Sequence, residues 1–414
     1  MKRYWKRFMS LFLSLILICS LSITVWASSS AAEGPGTYGS EDELRGVWIS
    51  YLEWEKLPTE QSAFQKEVDK MLDNCAGYGM NAVFVQVRSN SDAMYPSKYF
   101  PWSKFASGTQ GTDPGYDPLK YFVKAAHQRD LEFHAWINPY RVTGYLNRWG
   151  DLADTNPAKV WREDSDTGND RWVLKHNGEY YYNPAVSQVR ELIINGVKEV
   201  VDKYDVDGVH FDDSFYPSVN DNRSDLSFDK QEYEASGSRM TISNWRRNNV
   251  NQLIRSVYAA VKEADSDLVF GISPEGYISD LESNSRLFVD INTWMSRSGY
   301  VDYIMPQIYW GFEAKSVDGK TADYAFEQNV ADWIELQKKG DVKLYLGLAM
   351  YKTATDAKDN NSVSEWLRYN NIMQRQVESG RRSKEVSGFC FYSYSSFLRN
   401  EAQTEVNNLK KVLK

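Results

Sequence analysis

The chain has 414 residues, 42% of them hydrophobic and 25% charged, which suits one large domain or two ordinary ones with a sizeable core. The formal charge is −8 with no basic cluster in the body, and this argues against nucleic acid, whose phosphates need a Lys/Arg footprint. The 14 Trp and 27 Tyr suit a site that grips flat, partly apolar ligands. Sugar rings qualify, since their C–H faces pack on aromatic rings while their hydroxyls hydrogen-bond.

The N-terminus reads as an export signal: MKRYWKR is a basic leader, FMSLFLSLILICSLSITV an apolar stretch, and Val25-Trp26-Ala27 a site for cleavage after Ala27. The apolar stretch is long, so an uncleaved anchor is the rival reading. Cys19 follows Ile18 rather than a small residue, which speaks against lipidation. Residues 1–27 are therefore expected to be a signal peptide, 28–43 a flexible spacer, and 44–414 one folded domain. The other cysteines, Cys75 and Cys390, each sit in an apolar segment and read as two buried thiols rather than a disulfide.

From Leu44 onward, eight short apolar runs alternate with segments of helical period. The runs are LRGVWISY, NAVFVQVRS, LEFHAWINPYR, VDGVHFDD, LVFGISPEG, VDYIMPQIYW, KLYLGLAMYK and VSGFCFYSY. Helical segments include FQKEVDKMLDNCAGYG, DPLKYFVKAAHQRD, VSQVRELIINGVKEVVDKYD, SNWRRNNVNQLIRSVYAAVKEA, EWLRYNNIMQRQVESG and SFLRNEAQTEVNNLKKVL. Eight strand–helix repeats with near-continuous apolar strands predict an α/β fold, a (β/α)8 TIM barrel. An open doubly wound sheet is the alternative, but it needs no eighth strand, and no glycine-rich dinucleotide fingerprint follows the first run. Two connections are long: Val142 to Tyr182, with a hairpin turning at Asn177-Gly178, and Tyr216 to Thr241. Both follow strands, so both are expected on the C-terminal face as cleft walls or a lid.

Alternation along VDGVHFDD sends Val209 and Phe211 outward and Gly208, His210 and Asp212 inward. Asp212 then lies at the mouth and Asp213 begins the loop above it. Other strand ends contribute Trp54, Gln86, Arg88, Asp92, Trp136, Asn138, Tyr140, Arg141, Glu275, Gln307, Tyr309, Trp310, Tyr351, Tyr392 and Tyr394. Carboxylates at a barrel mouth suit glycoside hydrolysis, which needs one protonated acid for the leaving oxygen and one charged group at the sugar carbon. Asp213 is the expected acid, because ionisation of one neighbour raises the other's pKa. Asp212 is its charged partner, and Glu275, opposite on strand five, is the candidate second carboxylate. A metal site, a helix-capping pair and, for Glu275, a plain loop carboxylate are the structural alternatives. A substrate-assisted route, in which an acetamido carbonyl attacks, fits the same residues. His134 and His210 are expected to face inward together, as buried hydrogen-bonding groups or ligand contacts. No His-x-His, HExxH, CxxC or GxSxG spacing occurs, so no metal, no other cofactor and no serine esterase is expected.

These residues carry a resemblance. ELRGVWIS, NAVFVQVRSNSDAMYPS, PWSKFASGTQGTDPGYDPL, HAWINPYRV, YYNPAVSQVRELI, DGVHFDDSFYP, WRRNNVNQLI, FGISPEG and DYIMPQIYW, in that order, resemble the glycosyl-hydrolase-like family 10 proteins, exported bacterial barrels. The resemblance runs from Leu44 to about Tyr394. It implies hydrolase activity on bacterial glycans, peptidoglycan strands included. It also puts weight on Asp212 and Asp213 (FDD), on Asn138, Tyr140 and Arg141 (NPYR), on Arg88 and Asp92 (QVR…DA), and on Gln307, Tyr309 and Trp310 (PQIYW). Glu275 stands where the family often has an apolar residue, which weakens a general catalytic role for it. The motifs WDVVNE and TELD of true family 10 xylanases are absent, so xylanase activity is not implied. The expected partner is a cell-wall polysaccharide, with no nucleic acid and no membrane contact apart from the signal segment; a non-catalytic glycan-binding barrel and a hydrolase of another polysaccharide are the alternatives. An acidic chain does not attract anionic polymers at long range, so recognition is expected to show weak salt dependence.

Overall fold

The structure is a computed structural model and describes residues 42–212, 214–217, 228–283, 287–338 and 340–414. The expected signal peptide, most of the spacer, and Asp213 lie outside the described residues. Eight parallel strands form the inner ring: β1 (Leu44–Ile49), β2 (Ala82–Arg88), β3 (Glu132–Ile137), β4 (Gly208–Asp212), β5 (Val269–Ser273), β6 (Tyr303–Ile304 continued by Gln307–Ile308), β7 (Lys343–Leu348) and β8 (Val386–Phe391). Each pairs with the next, and β8 pairs with both β7 and β1, so the ladder closes. Helices follow each strand: α1 (Gln61–Tyr78), α2 (Pro118–His127), α3 (Ser187–Lys203), α4 (Ile242–Ala264), α5 (Ile291–Ser296), α6 (Phe326–Gln337), α7 (Ile372–Gly380) and α8 (Gln403–Leu413). This is the (β/α)8 barrel expected.

Local chemistry sets the element ends. Glu60 caps α1 by accepting from the amides of Ser62 and Ala63, and Gly79 stops it in the left-handed region at φ 93°. Asp117 caps α2, whose first position is Pro118. Thr241 caps α4 through the amide of Asn244. The chain docks onto the barrel one residue before β1: Glu43 is buried and takes a two-pronged bond from Arg381, at 2.7 and 2.8 Å.

Strand alternation separates two cores. Val47, Ile49, Val83, Val85, Phe133, Ala135, Val209 and Phe211 pack outward against the helices. Trp48, Phe84, Trp136, Tyr303, Met305, Tyr345 and Cys390 fill the barrel interior. There, large rings face glycines. A Cβ on Gly208 would stand 2.6 Å from His134 Nδ1, one on Gly46 2.6 Å from the Phe84 ring, and one on Gly271 inside the Tyr303 ring. Cys75 and Cys390 are both free and buried, as expected.

The long connection after β3 holds a short helix (Pro157–Glu163) and a hairpin, Val173–His176 with Glu179–Tyr182. Its turn is Asn177-Gly178, both at positive φ, as two-residue hairpins require. The connection after β4 includes a helix at Lys230–Ala235. Arg171 of the first connection grips Glu232 of the second at 2.6 and 2.8 Å, so the two insertions brace each other.

The interior packing makes a paired prediction. Gly271→Ala overpacks the Tyr303 ring and costs about 1–3 kcal/mol. Gly77→Ala, on a helix where an added methyl meets nothing within 4 Å, stabilises by up to about 1 kcal/mol. Chemical-denaturation midpoints should move in opposite directions; a neutral Gly271→Ala would contradict the interior described.

Candidate functional site

Inward positions continue upward from the interior core to the C-terminal rim. They are Gln86 on β2, Asn138 after β3, Asp212 on β4, Glu275 beyond β5, Gln307 on β6, and Tyr392 beyond β8. Asp212 pairs in register with Ser273, so Glu275 lies beyond the neighbouring strand and not opposite Asp212 as expected.

Asp212 is the best-supported carboxylate. Burial pushes its pKa above the ordinary carboxylate value, while Arg141, Ser214 and Asn138 work against that rise. The Ser214 amide donates to Oδ1 at 3.2 Å. The Asn138 contribution is set from two strands away. The backbone N–H of Tyr51 donates to Gln86 Oε1 at 2.8 Å, which fixes that amide's orientation. Gln86 Nε2 therefore donates to Asn138 Oδ1 at 2.9 Å. Asn138 is left with its NH2 for the Asp212 carboxylate. One backbone donor thus sets two side-chain amides and, through them, an acid.

Arg141 is placed by the hairpin. Its backbone bridges to Tyr181, and the Tyr182 amide donates to Tyr140 O at 2.8 Å. Tyr140 and Val142 go into the outer core, so Arg141 between them faces the other way, toward Asp212. On β5 and β6, half-buried Glu275 bridges through its backbone to Gln307, and Gln307 Nε2 donates to Ser273 O at 3.0 Å. Three tyrosines cluster on the far rim: Tyr309–Tyr351 centroids are 5.7 Å apart, Tyr351–Tyr392 6.0 Å and Tyr309–Tyr392 6.1 Å. Tyr351 is the most exposed of these, at 39%. Trp310 packs against Tyr324 beside a small alanine cluster.

Five expected ligand contacts are corrected, because each is buried away from the rim. A register shift between Gln86 and Arg88 reverses the alternation, and Arg88 packs over the Phe100 ring at 4.4 Å on the helix side. Asp92 is wholly buried, accepts from Gln110 Nε2 at 3.1 Å, and has its pKa pushed up to about 6 by burial. With Gln110 and Asn156 it ties the loop after β2 to the β3 insertion. Tyr140 is buried in the outer wall. His134 stacks on Phe84 and meets Glu132 at the barrel's lower end. His210 sits inside the barrel between Trp48 and Tyr303. The indole N–H can only donate, so His210 Nε2 accepts at 3.2 Å and Nδ1–H donates to Tyr303 Oη at 2.9 Å. Burial, aided by His134, holds its pKa well below the ordinary imidazole value, so it remains neutral. Trp54 and Tyr394 also leave the rim: one stacks on Phe64 in the outer core, the other bonds Asn74.

One acid escaped the sequence reading. Glu53 is buried and accepts from the Ser50 amide and hydroxyl, the Ser393 hydroxyl and the Ser395 amide. It stitches the β1 loop to the β8 loop. Ser50-x-x-Glu53 is a capping-box pattern, and that was the available signal. Away from the mouth, a cleft of about 460 Å3 lies between α4 and α5. Its polar groups satisfy one another: Arg247 donates to the carbonyls of Glu282 and Ser283, Asn251 to Asp290, and Asn292 to Glu282. Among the described residues, no three His, Cys, Asp or Glu side chains gather as a metal site.

Comparison with known proteins agrees with this architecture. The family model for "Glycosyl hydrolase-like 10" matches residues 43–366. The chain is 36% identical over 383 residues to glycosyl hydrolase YngK of Bacillus subtilis (strain 168), covering 87% of this chain and 70% of that protein. It is 29% identical to glycosyl hydrolase DigH of Escherichia coli (strain K12), covering 95% and 94%. Among solved structures, the PgaB (BpsB) glycoside hydrolase domain from Bordetella bronchiseptica superposes with a TM-score of 0.56 at 13% identity, over 89% of this chain and 99% of that one. An endo-1,4-beta-mannanase from Rhizomucor miehei gives 0.53 at 12%, over 90% and 94%. At these identities the two structures share the fold alone.

The amide relay is testable by carboxyl carbon NMR. Asn138→Ala removes a donor that favours the Asp212 carboxylate, so Asp212 should titrate at higher pH than in the wild type. Gln86→Met, which only frees Asn138 to turn, should move it the same way by less. An unmoved Asp212 in both variants would break the relay.

Proposed function

The chain belongs to the glycosyl hydrolase-like 10 family, and from that premise we propose that it is an exported glycoside hydrolase of a bacterial amino-sugar glycan, with peptidoglycan strands as the substrate. The observation that carries this reading is the environment of Asp212. A rim carboxylate is desolvated enough to raise its pKa, yet three groups from the connections after β3 and β4 favour its ionised form. That is the balance wanted in a charged partner beside a general acid.

In this reading Asp213 hands its proton to the glycosidic oxygen as the bond to the anomeric carbon breaks. Asp212 stays ionised, keeps its neighbour's proton in place through like-charge repulsion, and orients the group that attacks. That group is a water or, on an acetamido sugar, the acetamido carbonyl. Glu275, on the strand next to Asp212, is the candidate for a second catalytic carboxylate. The Tyr309, Tyr351 and Tyr392 cluster supplies apolar faces for sugar rings.

Two experiments test the proposal. On purified glycan strands, Asp213→Asn should lower product release by about 10²–10⁴-fold, and Asp212→Asn should also be impaired, with binding retained in both. Undiminished Asp213→Asn would remove the acid assignment. A wild type that binds glycan but releases nothing across a polysaccharide panel would favour a binding barrel. For export, the mature protein recovered outside the cytoplasm should begin at Ser28 by N-terminal sequencing; an intact leader would favour the anchored form.

A further inference from the structure

Arg141 is a rim residue whose charge acts on Asp212 through space, with no ion-pair contact between the two. Other arginines of the fold are matched: Arg171 with Glu232, Arg246 with Asp229, and Arg381 with Glu43, each by more than one bond. Arg141 differs. Its Nε is buried without a hydrogen-bond partner, and among the described residues it makes no ion pair. The nearby carboxylate, Asp212, is engaged by Ser214 and Asn138; the Tyr181 hydroxyl, which the same charge reaches, donates to Glu179. Arg88 and Arg399 also have unpartnered nitrogens, but Arg88 is 1% exposed behind the sheet, where no ligand reaches, and Arg399 is tied through Nη2 to the carbonyls of Met350 and Thr353. Arg141 is half-buried on the rim, its backbone held by the hairpin.

Leaving a partly desolvated guanidinium unpaired costs free energy unless a ligand completes it. Its flat fork matches a carboxylate through two parallel N–H···O bonds, and a lysine ammonium does not. We propose that Arg141 determines specificity by binding a carboxylate carried on a side group of the sugar seated against Asp212. This rests on the glycan-hydrolase reading and narrows it to acidic amino-sugar glycans, in which a ring substituent such as a lactyl ether ends in a free carboxyl. One such contact on a chain of net charge −8 selects at close range without long-range attraction, so the salt dependence stays shallow.

The test uses equilibrium binding in the full chain carrying Asp213→Asn, so that turnover does not intrude. The probes are wall-glycan oligosaccharides with free carboxylates, the same oligosaccharides with carboxyls reduced to alcohols, and a neutral chitooligosaccharide. With Arg141 intact, the acidic form should bind about 10–100-fold more tightly than the reduced form. Adding Arg141→Gln should make the two equal, and Arg141→Lys should retain only part of the preference. Thermal melting of each variant separates misfolding from lost recognition, and Arg141→Lys supplies the measurement if Arg141→Gln does not fold. Binding of both forms within twofold when Arg141 is present, or undiminished preference in Arg141→Gln, overturns the proposal while leaving the hydrolase reading intact. Failure to bind any of the three probes sinks the wall-glycan reading, and this proposal with it.

Discussion

Closure of the strand ring is the constraint on which the site depends. A strand's side chains alternate between two faces, but only a closed ring turns one of those faces into an interior and its upper end into a mouth. Here the seam lies between β8 and β1, where Leu44 to Val47 run in register with Gly388 to Phe391. Glu53 fastens the same seam from above through Ser393 and Ser395. The interior can close because bulky rings sit across from glycines: Tyr303 against Gly271, Phe84 against Gly46, His134 against Gly208. Without that size complementarity the strands carrying Asp212, Asn138 and Glu275 would not converge on one rim.

The positions of the eight strands were legible because each is a short apolar run bounded by polar residues, and parallel strands covered on both faces need that pattern. The hairpin was legible because Asn177-Gly178 is one of few dipeptides that take positive φ twice. Inward parity at Asp212 followed from strict alternation over Gly208 to Asp212. What failed were places where parity or height is not written in local sequence. The irregularity at Gln86/Arg88 turns Arg88 to the helix side, and one extra residue suffices to do this; Asp92 is buried in the loop beyond, against Gln110. His134 has the right parity but the wrong height: it meets Glu132 near the start of its strand, two residues below Trp136. Tyr140 was misjudged because parity breaks after Asn138: the chain there pairs with the hairpin, and Tyr140 and Val142 turn into the outer core.

The two corrected histidines show why composition alone overstates a site. An inward histidine on a barrel strand looks like a ligand contact or metal ligand. His210, however, accepts from one indole and donates to one phenol. Both ring nitrogens are spent, and burial prevents a charge from forming. It serves as a polar spacer in a core of rings, and its hydrogen bonds tie β1 and β6 to β4. The same accounting separates the flank cleft, whose polar atoms satisfy each other, from the rim, where Arg141 Nε has no partner.

The rim is divided by chemistry, and the division follows from strand order. Its amide and charged groups, Gln86, Asn138, Arg141, Asp212 and Glu275, come from β2 through β5 and their loops. Its tyrosines, Tyr309, Tyr351 and Tyr392, come from β6, β7 and β8. In a ring of eight, β4 lies across from β8, so Asp212 looks over the mouth toward Tyr392. A pyranose has the same two-sided character: an axial C–H face that sheds water onto an aromatic ring, and an edge of hydroxyls and substituents that demands donors and acceptors. A ring laid on the tyrosine side presents its polar edge to the amide and carboxylate side. In the proposed reaction the acid approaches that edge rather than the face, and β4 is the strand that ends there.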